Sequence, residues 1–187
     1  MLRSVYGFIS YYLGRLWSGI VWLFTGSPVR QDSVLREANS RDFNRHFLQV
    51  VPQSSSLQLY EGDSFFQMCE DARRLRRPIL ILAIRDRANQ RAHTMVQQQL
   101  VESNYLRDMV NTSFIVYGLY YNDRNRAEPG EAQLRGVLNM PSSSQVSLWV
   151  LSVLHGHNIQ VNSRVSTSTS FTASQLSSFL QENLSLF

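Results

Sequence analysis

Pro78-Ile79-Leu80-Ile81-Leu82-Ala83-Ile84 is an uninterrupted apolar run of strand length. A strand that alternates apolar and polar residues has one wet face, whereas one that is apolar throughout needs cover on both. Proline at its start is compatible with a strand, because the first residue can forgo its amide donor. The run predicts an α/β domain with a central buried strand. Working outward, Asp63 to Arg77 reads as an amphipathic helix whose apolar residues are Phe65, Phe66, Met68, Cys69, Ala72 and Leu75. His93 to Asn111 is helical, with a break expected near Asn104. Thr112 to Tyr121 is a second strand, rich in β-branched and aromatic residues. Pro129 to Leu138 is a helix with proline in its first turn. Val146 to Val153 and Ile159 to Val165 flank His155-Gly156-His157-Asn158, a hairpin signal. Thr172 caps the last helix, and Gln175, three residues on, completes a capping box.

The order is β-α-β-α-β-β-α. It predicts a right-handed parallel first crossover and an antiparallel last pair, compatible with a thioredoxin-like sheet. Of 187 residues, 43% are hydrophobic and 17% charged, which excludes a fully disordered chain. One domain of roughly 140–150 residues plus a tail fits this length. The single cysteine, Cys69, excludes an intramolecular disulfide, a Cys-x-x-Cys pair and a Cys-rich zinc site, and it suits a reducing compartment. All 18 basic residues are arginine and there is no lysine. Drift in a small protein accounts for this; so does life beside degradation machinery, where a chain without lysine offers a ubiquitin ligase no acceptor.

Residues 1–26 differ from the rest. From Val5 to Phe24 the only charge is Arg15. As a helix, about twenty residues at ~1.5 Å each span ~30 Å, the thickness of a hydrocarbon core. Ser10, Gly14 and Ser18 share one helical face in small-xxx-small spacing, which lets two helices approach closely in lipid. The segment is expected to enter a membrane through Phe8, Tyr12, Leu16, Trp17, Ile20, Trp22 and Phe24. A transmembrane helix would hold Arg15 near mid-bilayer at roughly 2.5–3.5 kcal/mol. A shallow interfacial helix or re-entrant loop would let Arg15 snorkel and seat the Trp and Tyr rings among headgroups. A cleaved signal peptide fits less well, given Arg15, the bulky Trp22, Leu23 and Phe24, and Pro28 beside any cut. A buried core helix is the remaining alternative. Arg30, Arg36, Arg41 and Arg45 follow the segment, against Arg3 and the α-amine before it. That bias keeps the C-terminal domain in the cytosol. Ser27-Pro28 ends any helix, so residues 27–42 read as a linker and 43–187 as the domain. Rough helical spacing nevertheless runs through Val34, Leu35, Ala38, Phe43, Phe47 and Val50.

One segment is more specific than the element order. Phe43-Asn44-Arg45-His46-Phe47 is followed by Leu57-Gln58-Leu59-Tyr60-Glu61-Gly62-Asp63-Ser64-Phe65, then by Ala72, Arg76-Arg77 and Pro78-Ile79-Leu80-Ile81. This resembles the start of the UAS domain, a thioredoxin-like module of the Fas-associated-factor family of ubiquitin-regulatory-X (UBX) proteins. In that family a short aromatic-x-Gly-Ser/Thr-aromatic stretch precedes a helix with a central alanine and then the first core strand. Tyr105-Leu106-Arg107-Asp108-Met109-Val110-Asn111 and the strand from Thr112 resemble its second helix end and second strand. The likeness spans residues 43–187. It implies a thioredoxin-like fold preceded by a hydrophobic helix, and a non-enzymatic adaptor in ubiquitin-dependent degradation. One family member carries a membrane-inserting segment upstream, on the endoplasmic reticulum and lipid droplets, and Val5–Phe24 resembles it. No ubiquitin-associated domain and no Phe-Pro-Arg loop of the UBX type is evident. The resemblance therefore implies a shortened member or a fragment, reaching the valosin-containing AAA ATPase only indirectly. UAS domains bind long-chain unsaturated fatty acids and self-associate on doing so, and the same partners are expected here.

Redox thioredoxins place Cys-x-x-Cys after the first core strand, where a helix N-terminus lowers the thiol pKa. The matching stretch, Arg85-Asp86-Arg87-Ala88-Asn89-Gln90-Arg91, holds no thiol. Pro141 stands several residues before the third strand, too early for the fold's cis-proline. Cys69, among apolar neighbours, reads as a buried hydrophobe. His155 and His157 sit in a turn with no carboxylate cluster, so no metal is expected, and no Gly-x-Ser-x-Gly elbow appears. No cofactor is implied. Arg73, Arg74, Arg76 and Arg77, with Arg85 and Arg87 near them in sequence, are the expected contact for a carboxylate or anionic headgroup, since guanidinium forks match both. An ordinary solvated helix face, interleaved with Glu70 and Asp71, is the competing account. Nucleic acid is not expected, because the charge is modest and no basic-aromatic motif is present. A redox-inactive, lumenal thioredoxin-like chaperone remains the alternative to the adaptor.

Overall fold

Ile79–Ile84 forms strand β1, and all six residues are buried. Its alternate side chains reach opposite faces, so the apolar run is used twice. The computed structural model describes residues 39–51, 56–62, 64–122, 134–154 and 158–185. The hydrophobic N-terminal segment, the His155–His157 tip and the start of the helix expected at Pro129 lie outside the described residues. Among the described residues, no helix is long and apolar enough to cross a membrane.

β1 lies between β2 (Ile115–Tyr120), which is parallel to it, and β3 (Val146–Val153), which is antiparallel. β4 (Ile159–Thr167) pairs antiparallel with β3, with a register shift at Val150/Leu151. The sheet order is β2-β1-β3-β4, compatible with a thioredoxin-like sheet. Leu59 adds an isolated parallel bridge to Val116 on the outer side of β2.

Helices cover both faces. Leu80, Leu82 and Ile84 meet α1 (Asn39–Val50) through Phe43 and Phe47. The same layer takes Val96 from α3 (Gln90–Val96), Leu106 and Val110 from α4 (Asn104–Ser113), and Leu176 and Leu180 from α5 (Ala173–Leu184). Ile79, Ile81 and Ala83 pack on the other side with Phe65, Met68, Cys69 and Ala72 of α2 (Phe65–Leu75), and with Trp149, Leu134 and Leu138.

Local chemistry sets the helix ends. Ser64 caps α2 by accepting from the Gln67 amide at 3.1 Å, and the helix closes at Arg76 in the left-handed region, φ 53°. The helix expected over Asp63–Arg77 is trimmed accordingly. The one expected over His93–Asn111 starts earlier, at Gln90, where Asn89 caps it, and breaks into α3, a π-helical turn at Gln97–Val101, and α4. Ser103 caps α4 through the Leu106 amide, so the break falls where a side-chain oxygen can serve a new N-terminus. Thr172 and Gln175 form the capping box of α5. α1 begins four residues before Phe43, so the domain's first element extends into the stretch read as a linker.

α1 sits close to the sheet because β2 has a glycine beneath it. A Cβ on Gly118 would overlap the Phe43 ring. Gly118→Ala is therefore expected to lower unfolding free energy by about 1–3 kcal/mol, the usual penalty for overpacking, as read from urea denaturation of the full chain.

Candidate functional site

β1 separates two groups of polar side chains. Strand residues rise ~3.3 Å each, so Arg77 before β1 and Arg85 after it stand on the order of 25 Å apart along the strand. The arginines read as one anion-binding surface thus fall into two sets, and the structure does not bring all six together.

The first set lies at the start of β1. Arg73, Arg74 and Arg76 are exposed, and Arg74 pairs with Asp71 at 2.9 Å. Arg77 is half-buried and structural. Its Nη2 donates to the carbonyls of Asn111 and Phe114, both at 2.5 Å, tying the connection between α2 and β1 to the C-terminal end of α4. Its Nε is buried with no hydrogen-bond partner. Arg74 and Arg77 both line a groove of about 560 Å³ whose walls include Leu48, Leu59, Leu75 and Ile115. Leu48 is 41% exposed and Leu75 50%, so the groove opens apolar surface beside two guanidinium groups. Glu61 and Asp71 also line it, so the groove carries both signs of charge beside its apolar wall.

The second set lies at the end of β1. Arg85 donates to the Ser144 carbonyl at 2.6 Å and to the Pro141 carbonyl, pinning the approach to β3. Arg87 pairs with Asp42 of α1 and lies over the Tyr120 ring, 5.3 Å from its centroid. Asp86 accepts from Asn122 at 2.6 Å, and Asn89 caps α3 through the Ala92 amide. These residues hold the turn after β1 together. Cys69 lies elsewhere, inside the α2 layer, with burial foremost and Glu70 second pushing its thiol pKa up to about 12. It matches the buried hydrophobe expected.

Sequence reasoning missed the cluster beside Arg87. Tyr120 Oη lies 2.6 Å from His46 Nδ1 of α1 and 3.0 Å from His93 Nε2 of α3. His93 Nδ1 is 2.8 Å from the Asn89 carbonyl. Burial holds the His46 pKa below the usual imidazole value; Arg87 adds to this and Asp42 opposes it. Burial lowers His93 as well, opposed by the Asn89 bond and assisted by His46. Burial raises the Tyr120 phenol. Asp42 and His46, four apart, share a helical face, and that was the one local signal. Nothing local places Tyr120, 74 residues away. Among the described residues, no three His, Cys, Asp or Glu side chains are grouped to hold a metal.

The two arginine roles are separable by mutation. Arg77→Gln should cost about 1–3 kcal/mol of stability, because two carbonyls lose a charged donor, whereas Arg73→Gln, at an exposed helix position, should stay within about 0.5 kcal/mol. Urea denaturation of both variants measures the difference. No protein-family model, curated protein or solved structure matches this chain.

Proposed function

We propose that this chain is a membrane-tethered, non-enzymatic adaptor built on a thioredoxin-like domain of the UAS type. The tether is the hydrophobic segment of residues 1–26. The domain faces the cytosol at the endoplasmic reticulum or a lipid droplet and serves ubiquitin-dependent degradation through protein contacts, reaching an AAA ATPase indirectly. The observation that carries the thioredoxin-like reading is the sheet itself: order β2-β1-β3-β4, with β1 and β2 parallel and the remaining pairs antiparallel. The turn after β1 supports a role without redox chemistry, since Arg85, Arg87 and Asn89 are engaged in holding neighbouring segments and the stretch contains no thiol.

Carbonate extraction and protease protection of the C-terminally tagged chain in microsomes test the tether. A carbonate-resistant chain whose tag is digested without detergent is expected. A protected tag would give the case to a lumenal chaperone, and release by carbonate would remove the inserted tether.

A long-chain unsaturated fatty acid is the proposed ligand, with its carboxylate at the arginine-lined end of the groove and its chain along Leu48, Leu59 and Leu75. Binding would drive self-association. Because Arg77 also supports the fold, the test variant is Arg74→Gln, at the other arginine that lines the groove. Oleate-induced oligomerisation of the full chain, followed by light scattering, is expected to weaken in this variant; a response equal to wild type would overturn the assignment.

A further inference from the structure

We propose that His46, Tyr120 and His93 form a proton-controlled latch that docks α1 on the domain, stable with no more than one proton added and opened by a second. The hydrogen bonds of the cluster have a direction that can be deduced. The Asn89 carbonyl only accepts, so His93 Nδ1 carries the proton donated to it. Neutral His93 is then an acceptor at Nε2, and the phenol of Tyr120 donates to it. The phenol has a single proton, so its oxygen accepts from His46. His46 is therefore also protonated at Nδ1. The chain runs from His46 through Tyr120 to His93 and ends on the Asn89 backbone.

A first proton fits this chain. It can sit on His46 Nε2 with every bond unchanged. It can instead sit on His93, with the phenol turned to donate to His46. A second proton fits neither arrangement. Both imidazolium rings would aim N–H donors at one phenol oxygen, leaving the phenol proton without an acceptor in a buried site. The ring centroids of His46 and His93 are 5.7 Å apart, close enough for strong repulsion where solvent screening is poor.

The charges around the cluster come from each element packed on it. The turn after β1 contributes Arg87, whose guanidinium lies over the phenol and opposes protonation. α1 contributes Asp42, which favours protonation of His46 but is paired with Arg87; the neighbouring Arg45 is exposed. α3 contributes His93, its Arg91 being exposed, and the Tyr120 carbonyl of β2 accepts from Arg135 at 2.8 Å. Both imidazole pKa values lie below 6.5 when α1 is docked. The undocked form therefore binds more protons as pH falls through that value. Docking is firmest above about pH 6.5; below it the first proton weakens docking without breaking a hydrogen bond, and the second opens it.

Other polar ties of α1 include Asp42 to Arg87, and Asn44, which donates to the Tyr60 carbonyl at 2.9 Å. Opening the histidine tie would free a helix that connects the domain to residues 1–38. Its twelve residues span ~1.5 Å each as a helix and up to about 3.5 Å each when extended. That lengthening of a tether rests on the membrane reading. The latch does not, because exchange of α1 amides reports it whether or not residues 1–26 bind lipid.

The test uses the full-length chain in detergent micelles. Long-range nitrogen–proton NMR of the imidazoles near pH 7.5 should show His46 and His93 both as Nδ1–H tautomers; an Nε2–H form of either overturns the chain of bonds. Amide hydrogen exchange, corrected for its intrinsic pH dependence, should show α1 losing about ten-fold or more protection relative to α5 between pH 7.5 and pH 5. An equal change in both helices would show general acid unfolding and overturn the latch. In His46→Gln, where His93 has no competitor, the α1-specific response should shrink; a wild-type response there also overturns it. His46 is half-buried and its variant should fold, while the tautomer measurement needs no variant at all.

Discussion

Burial of β1 on both faces is the constraint from which the rest of the architecture follows. Six apolar residues in succession cannot present a wet face, so helical layers must close over both sides of the sheet. Leu80, Leu82 and Ile84 require the layer made by α1, α3, α4 and α5, while Ile79, Ile81 and Ala83 require the layer made by α2. A strand with neighbours on both edges also has its backbone groups paired, here by β2 and β3. Removing one large side chain from such a strand typically costs about 2–5 kcal/mol, a large share of a domain's net stability.

The same constraint explains where polar chemistry can occur. With both faces closed, charged groups collect at the two ends of β1. At its start, Arg77 bridges two carbonyls and shares a groove with exposed leucines. At its end, Arg85 and Arg87 fasten the approach to β3 and the first turns of α1. A guanidinium has five donors in a rigid fork, which suits it to holding several acceptors from different segments. Arginines on one short stretch of sequence can thus serve unlike purposes, some as internal fasteners and some as exposed charge.

α1 belongs to the domain through packing as well as polar contact. Phe43 lies over Gly118 and stacks near Phe47 and Tyr120, and Tyr120 in turn joins the two histidines. Aromatic packing and the hydrogen-bonded chain therefore meet on one phenol. The docking of α1 is sensitive at this point because a buried polar chain is favourable only while each member has a partner of the right kind.

The sequence by itself determined the elements whose causes are local. The apolar run gave away β1, Thr172 and Gln175 announced the start of α5, and the polar residues near Asn104 marked the break before α4. Each signal acts through neighbours within three or four residues, or through the plain need to cover an apolar strand. The helix over Asn39–Val50 was only half legible, because its periodic residues lay beside a proline-led connector and its partners are distant. The tertiary structure alone decided that Asp42 meets Arg87, that His46 and His93 share Tyr120, and that the arginines divide between the ends of β1. Those contacts join residues 27 to 74 positions apart. They exist because packing against the sheet sets the relative positions of helices, and no spacing along the chain records that distance.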